Sequence, residues 1–167
     1  MMKQPFENVV EDHGDTVLRV CRAVLGAMAD ADDAWSETFL AALRAWPDLP
    51  EDTNVEAWLV RVAYRKAIDV TRARKRHAVP VENVPILDAS TEGVPHASNP
   101  ELWAAVAALP QRQRLAVAFH YLGGLSHKDT ADLIGGSVDA VRRAAADGIK
   151  TLRMTYTAGA SQEGTPR

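Results

Sequence analysis

Apolar residues recur along the first part of the chain in steps of three and four. Phe6, Val9, Val10, Val17, Val20, Cys21, Val24 and Met28 form one such stripe. It predicts a helix with one buried face, weakened slightly near its end by Gly26. Asp30, Asp32 and Asp33 then predict the start of a second helix, because carboxylates favour the positive end of the helix dipole. Its stripe is Trp35, Phe39, Ala42, Leu43 and Trp46. Pro47 ends it, since the residue before a proline is pushed out of the helical region. The segment from Pro47 to Thr53 reads as a loop. Thr53 with Glu56 three residues on is a capping-box pattern. A third helix is therefore expected over about 54–76, with Val55, Leu59, Val62, Ala63, Ala67 and Val70 inward.

The periodicity vanishes from His77 to Ser98, where Pro80, Pro85 and Pro95 mark a linker. Asn99-Pro100-Glu101 combines a cap, a first-position proline and an acid, and opens a short helix through Ala108. Pro110 opens another, with Leu115, Ala118, Phe119 and Leu122 on one face, and Gly123-Gly124 ends it. Ser126 with Asp129 caps the next, which buries Thr130, Leu133 and Ile134. Gly135-Gly136 makes a tight turn. Ser137 caps the last helix, with Val138, Val141, Ala145, Ile149 and Leu152 inward. The stretch Thr155–Arg167 is polar and expected to fray. No strand-like alternation of useful length occurs. The expected fold is all-α: a three-helix domain over 1–76 and a four-helix domain over 99–153. A flexible linker at 77–98 joins them, and a tail follows at 154–167.

Charge is distributed in blocks. The net charge is −3 over 167 residues, but residues 1–60 carry −8, residues 61–76 carry +6, residues 77–101 carry −4 and residues 102–153 carry +3. Alternating blocks of this size point to separate surfaces for separate partners. Cys21 is the only cysteine, so no internal disulfide or Cys-x-x-Cys metal site can form, and a reducing cytoplasmic setting is expected. No apolar run approaches the roughly 20 residues that span a bilayer, so membrane insertion is not expected. Met1–Val10 carries Glu7 and no apolar core, unlike a signal peptide.

The helix, glycine turn and helix over Leu125–Leu152 have the shape of a helix-turn-helix. The second helix of such a unit can enter the DNA major groove, its N-terminal residues reaching base edges. Ser137, Asp139, Arg142 and Arg143 are its outward candidates, and an arginine can donate two hydrogen bonds to guanine. Lys128, Arg112 and Arg114 are placed to hold phosphates.

Read together, the two halves resemble a known family. The run DADDAWSETFLAALR over 30–44 resembles the polymerase-binding helix of sigma-70 family factors. AWLVRVA over 57–63, continuing through Ala67, Ile68 and Asp69 to the basic run Arg72–Arg76, resembles the adjoining promoter-reading helix. LPQRQR over 109–114 and YLGGLS over 121–126 resemble the start of the C-terminal domain. Order and spacing match the compact extracytoplasmic-function (ECF) subgroup, with a sigma2-like and a sigma4-like domain. The resemblance implies a transcription initiation factor that binds RNA polymerase core, through its β′ and β subunits, and directs it to promoter DNA. Asp33, Glu37, Thr38, Leu40 and Arg44 are the implied polymerase contacts. The loop Asp48–Asn54 and the third helix would read the −10 element. There Asn54, Arg61, Tyr64, Arg65 and Lys66 would meet the opened strand, and Arg72, Arg74, Lys75 and Arg76 its phosphates. The helix-turn-helix residues would read −35. An anti-sigma factor is an implied partner.

Some residues depart from the family pattern. Arg65 stands where many relatives have Asn. Ala144, Asp147 and Ile149 stand where further basic residues are usual, and Gly148 lowers helix propensity by about 1 kcal/mol. His13, His77, His96, His120 and His127 are scattered without a ligand spacing, and no phosphate loop, nucleophile elbow or acid–base pair occurs. Neither cofactor nor metal is expected, and no enzymatic site. Two alternatives remain from sequence: a stand-alone helix-turn-helix regulator, and a sigma-like adaptor with weakened DNA contacts.

Overall fold

The computed structural model describes residues 3–26, 28–76 and 100–163, without the side chains of Met28 and 156–163. The expected linker, the Asn99 cap and the last four residues lie outside the described residues. Every regular element among them is helical. The N-terminal half holds α1 (Phe6–Leu25), α2 (Met28–Ala45), a 3₁₀ turn (Trp46–Asp48) and α3 (Val55–Arg76). The C-terminal half holds α4 (Pro100–Ala107), α5 (Gln111–Ala116), α6 (His127–Ile134) and α7 (Val138–Glu163). A wider π-type stretch, Val117–Leu122, prolongs α5.

Local chemistry explains the boundaries. Gly26, at φ +77, ends α1 with its amide donating to Arg22 O, so Met28 belongs to α2 rather than to the first helix. Asn54, not Thr53, caps α3: its Oδ1 accepts from the Ala57 amide at 3.1 Å. Ser126 Oγ accepts from Asp129 N at 3.0 Å and Ser137 Oγ from Ala140 N at 3.1 Å, so both serines cap as expected. The last helix does not stop near Arg153 but runs on to Glu163, because no proline interrupts it before Pro166. Val138 is 36% exposed and leaves the inward stripe of α7; Gly148 replaces it as a buried contact. A side-chain carbon at Gly148 would come within 2.7 Å of Val117 Cγ2. The glycine that weakens the helix therefore lets α7 lie close to the α5 extension.

The N-terminal core joins Val9, Val17 and Cys21 of α1 with Ala31, Ala34, Phe39 and Ala42 of α2 and Leu59 and Ala63 of α3. Phe6 and Trp35 flank Phe39, Trp46 meets Phe6 edge-on, and the Trp35 indole donates to Gly14 O at 2.9 Å. Burial pushes the Cys21 thiol up to about 12. In the C-terminal half Ala116, Ala131, Val141 and Ala145 pack α5, α6 and α7 together.

Two further clusters belong to both halves at once. Val20 of α1 and Val60 of α3 pack on Phe119 and Leu125, each at most 3% exposed. Ala23 of α1 packs with Val106 of α4 and Ala118. The Gly123-Gly124 pair lies in this seam. A side-chain carbon at Gly123 would approach Val60 Cγ1 to 3.1 Å and Val20 Cγ2 to 3.3 Å. At Gly124, with φ +76, it would meet the Glu56 carboxylate at 2.6 Å. These glycines end a helix, as expected, and also admit the other half of the chain.

Candidate functional site

Three surfaces carry the residues singled out above. The first is the outer face of α2. Asp33, Glu37, Leu40 and Arg44 are exposed there, Leu40 by 47%. Thr38 is not: it is fully buried, its hydroxyl donating to Ala34 O at 2.6 Å, so it belongs to the domain interior. Leu43 takes its place. Expected inside, it is 51% exposed, one turn's reach from Leu40, and the pair puts an apolar strip on an otherwise charged face. Nothing in the periodicity separates Leu43 from Ala42 beside it. Asp32 on the same helix has its carboxyl pKa raised, first by burial and then by Asp33, with Arg22 opposing.

The second surface is α3. Arg65, Arg72, Lys75 and Arg76 are exposed and Lys66 half-buried, a cationic ridge along the outer face. Arg74 turns back, its Nε 2.9 Å from Asp30 Oδ2, and ties the end of α3 to the start of α2. Asn54 is engaged in capping. Arg61 and Tyr64 meet the C-terminal half: the exposed Arg61 has Nη2 3.6 Å from Asp129 Oδ1, and the half-buried Tyr64 ring meets Phe119 edge-on at 5.0 Å between centroids. Beside the loop before α3 lies a cavity of about 340 Å³, lined by Lys3, Trp46, Leu49, Pro50, Glu51 and Val55. The Lys3 ammonium sits 4.8 Å from the Trp46 ring centroid and donates to Trp46 O and Leu49 O, fixing the loop.

The third surface is the helix-turn-helix of α6 and α7. Ser137, Asp139, Arg142 and Arg143 are exposed at the start of α7, and Arg142 pairs with Asp139 at 3.0 Å. Lys128 is exposed on α6. Arg112 and Arg114 lean onto their own domain: Arg112 Nη2 donates to Gly135 O at 2.8 Å, and Arg114 Nη1 reaches Ala107 O at 3.5 Å. Arg112 thus braces the glycine turn. The rings of His120 and His127 stack at 3.8 Å, and His120 Nδ1 lies 2.7 Å from Leu125 O, within reach to donate. Burial, then His120 and Arg142, hold the His127 pKa below its ordinary value. The two histidines are separated by a loop, and no periodicity reveals their meeting. Among the described residues no group of three or more His, Cys, Asp or Glu side chains is placed to hold a metal, and no helix is long and apolar enough to cross a membrane.

These surfaces fall within two matched family regions. Sigma-70 region 2 matches residues 9–77 and Sigma-70, region 4 matches residues 100–152. The ECF RNA polymerase sigma factor SigF of Caulobacter vibrioides is 36% identical over 135 residues, covering 78% of this chain and 73% of that one. The ECF RNA polymerase sigma factor SigE of Mycolicibacterium smegmatis is 31% identical over 165 residues, 95% of this chain, which spans 63% of that protein's length. In three dimensions the chain is similar to the sigma factor RpoE of Bartonella quintana, solved with the anti-sigma factor NepR. The TM-score is 0.70 at 18% identity, covering 91% of this chain and 96% of that one. It is also similar to CnrH solved with the cytosolic domain of CnrY, with a TM-score of 0.59 at 24% identity over 92% and 88% of the two chains. At these identities the two structures share the fold.

Proposed function

The chain belongs to the sigma-70 family, in its ECF branch, and from that premise we propose that it binds RNA polymerase core and directs it to promoters with −10 and −35 elements. The observation that carries this reading is the order of surfaces along one chain: an apolar strip on α2, a cationic ridge on α3, then a helix-turn-helix with two arginines at the start of its second helix.

Each surface has a chemistry suited to its role. Leu40 and Leu43 offer apolar area to a protein partner, flanked by Asp33, Glu37 and Arg44 to fix orientation. That partner is the polymerase β′ subunit. The ridge from Arg65 to Arg76 neutralises phosphates, so binding weakens as salt displaces those contacts. Tyr64, with Arg61 and Lys66, provides the aromatic and cationic surface on which an opened strand stacks. Arg142 and Arg143 reach base edges at −35, and Lys128 holds a phosphate. Catalysis is left to the polymerase. An anti-sigma factor is a further partner, the class with which RpoE of Bartonella quintana was solved. The stand-alone regulator and the adaptor are not favoured, since both sigma regions are matched in order.

Reconstitution with polymerase core, followed by mapping of transcript starts on genomic fragments, tests the reading. The expected result is a defined set of starts sharing −10 and −35 sequences. Failure to associate with core at low salt overturns it.

A further inference from the structure

Resting on the reading of the loop Asp48–Asn54 as part of the −10 contact, we infer that Lys3 is a positioning residue. It fixes the shape of that loop and so sets which −10 sequences the polymerase with this factor prefers. Lys3 lies outside both matched family regions, the first of which begins at residue 9, so its role is a property of this chain.

The loop is weakly held by its own backbone. Pro47 and Pro50 have no amide hydrogen to give. Leu49 N donates to Trp46 O at 3.3 Å and Thr53 N to Pro50 O at 3.2 Å, both long bonds. Lys3 adds a tie from more than 40 residues away. Its ammonium donates to Trp46 O and to Leu49 O, and so spans the 3₁₀ turn from its first residue to the one that follows it. Carbonyls at the end of a helix lack partners within it, and a lysine is suited to take them. The same ammonium lies 4.8 Å from the Trp46 ring centroid. Phe6 meets that ring edge-on at 5.9 Å between centroids, so the start of α1 steadies Trp46 from the segment that carries Lys3.

Shape matters more than charge in this loop. Asp48, Glu51 and Asp52 are exposed on it, and three carboxylates make a poor partner for phosphates. Its part in recognition therefore lies in placing groups against bases, which depends on backbone position. The cavity of about 340 Å³ lined by Lys3, Trp46, Leu49 and Pro50 leaves the loop room to shift once the tie is cut.

The test compares the full-length wild type with Lys3→Met, which keeps the length and loses the donors, and with Lys3→Arg, which keeps both. Each is combined with polymerase core on promoters of fixed −35 and randomised −10 sequence, and the transcripts are sequenced. In the Lys3→Met protein, discrimination between the best −10 sequence and its single-base variants should fall about fivefold to tenfold, at the low end of what one mismatched pair is worth. Core binding and helix content by circular dichroism should stay at wild-type levels, and Lys3→Arg should restore the discrimination. Amide NMR of the free chain should show the Leu49, Glu51 and Asp52 resonances displaced by Lys3→Met and those of Cys21 and Leu59 unmoved. Should Lys3→Met fail to fold, Lys3→Ala is held to the same outcomes. An unchanged −10 ranking in a variant that still initiates overturns the inference while leaving the proposed function intact. A loss of output that is uniform over all −10 sequences assigns Lys3 a plain attraction for phosphates and overturns it too. A wild type that initiates with no −10 preference overturns the reading of the loop, and the role of Lys3 with it.

Discussion

The outer faces of α2 and α3 belong to the same three-helix bundle, yet the first carries two exposed leucines and the second is packed in part by the C-terminal half. Leu40 and Leu43 stand about half exposed on α2. Val60 and Tyr64 on α3 are packed by Phe119, and Arg61 is paired with Asp129. The proposed polymerase face is thus open to solvent, whereas the proposed strand face is shared between solvent and the C-terminal half.

Neighbouring residues on α3 give the largest test of that contrast. Leu59 serves the N-terminal core and Val60 the seam. Leu59→Ala should destabilise the bundle by about 2–5 kcal/mol, read as a lowered denaturant midpoint. Val60→Ala should remove about 1–2 kcal/mol of burial from the docked state and leave the N-terminal bundle folded. Equal losses of helix in the two variants would mean that seam and core are one unit.

The bare face comes next. Replacing Leu40 and Leu43 together by Asp should weaken polymerase binding about a hundredfold, nearly 3 kcal/mol, with an unchanged unfolding midpoint. Pull-down against purified core measures it. A variant that binds as the wild type does would move the contact off α2. A smaller effect is expected on the distal face. Arg142→Ala with Arg143→Ala should cut transcription from promoters that need a −35 element about tenfold, while binding to core stays level. Unchanged promoter use would assign that contact elsewhere.

The smallest effect is a response to acid. His127 prefers its neutral form in the folded chain, because burial, the His120 ring and Arg142 all disfavour its charge. Its contribution is complete above the ordinary histidine value of about 6.5 and fades as pH falls through it, since the unfolded chain then binds the proton more readily. The wild-type melting temperature should drop slightly more between pH 7.5 and 5.5 than that of His127→Asn. Identical drops would remove His127 from that account.

Much of the fold is legible from local chemistry. The two serine caps, the glycine turns and the proline-started helices follow from short-range rules, and the structure keeps them. Where local rules compete they mislead slightly: Asn54 displaces Thr53 as the cap because either side chain can accept from the first turn. The seam is another matter. Val17 and Val20 share one stripe on α1, and periodicity reports that both are buried. It cannot report that Val17 faces α2 and α3 while Val20 faces Phe119 from the far end of the chain. For the same reason Leu43 reads as core and Thr38 as surface, the reverse of what packing does with them. The residues of the helix-turn-helix are legible because their exposure follows from the cap that starts α7. Gly148 reads as a defect until Val117 is seen against it.

The sealed sulfur of Cys21 offers a way to watch the two halves independently. With its proton held to about 12, the group is inert to alkylating reagents at neutral pH while α1 stays packed between α2 and α3. Its labelling rate therefore clocks the unravelling of that bundle. A cysteine introduced on the seam, among Val20, Ala23 and Phe119 rather than in this core, would report on the contact between the halves in the same way.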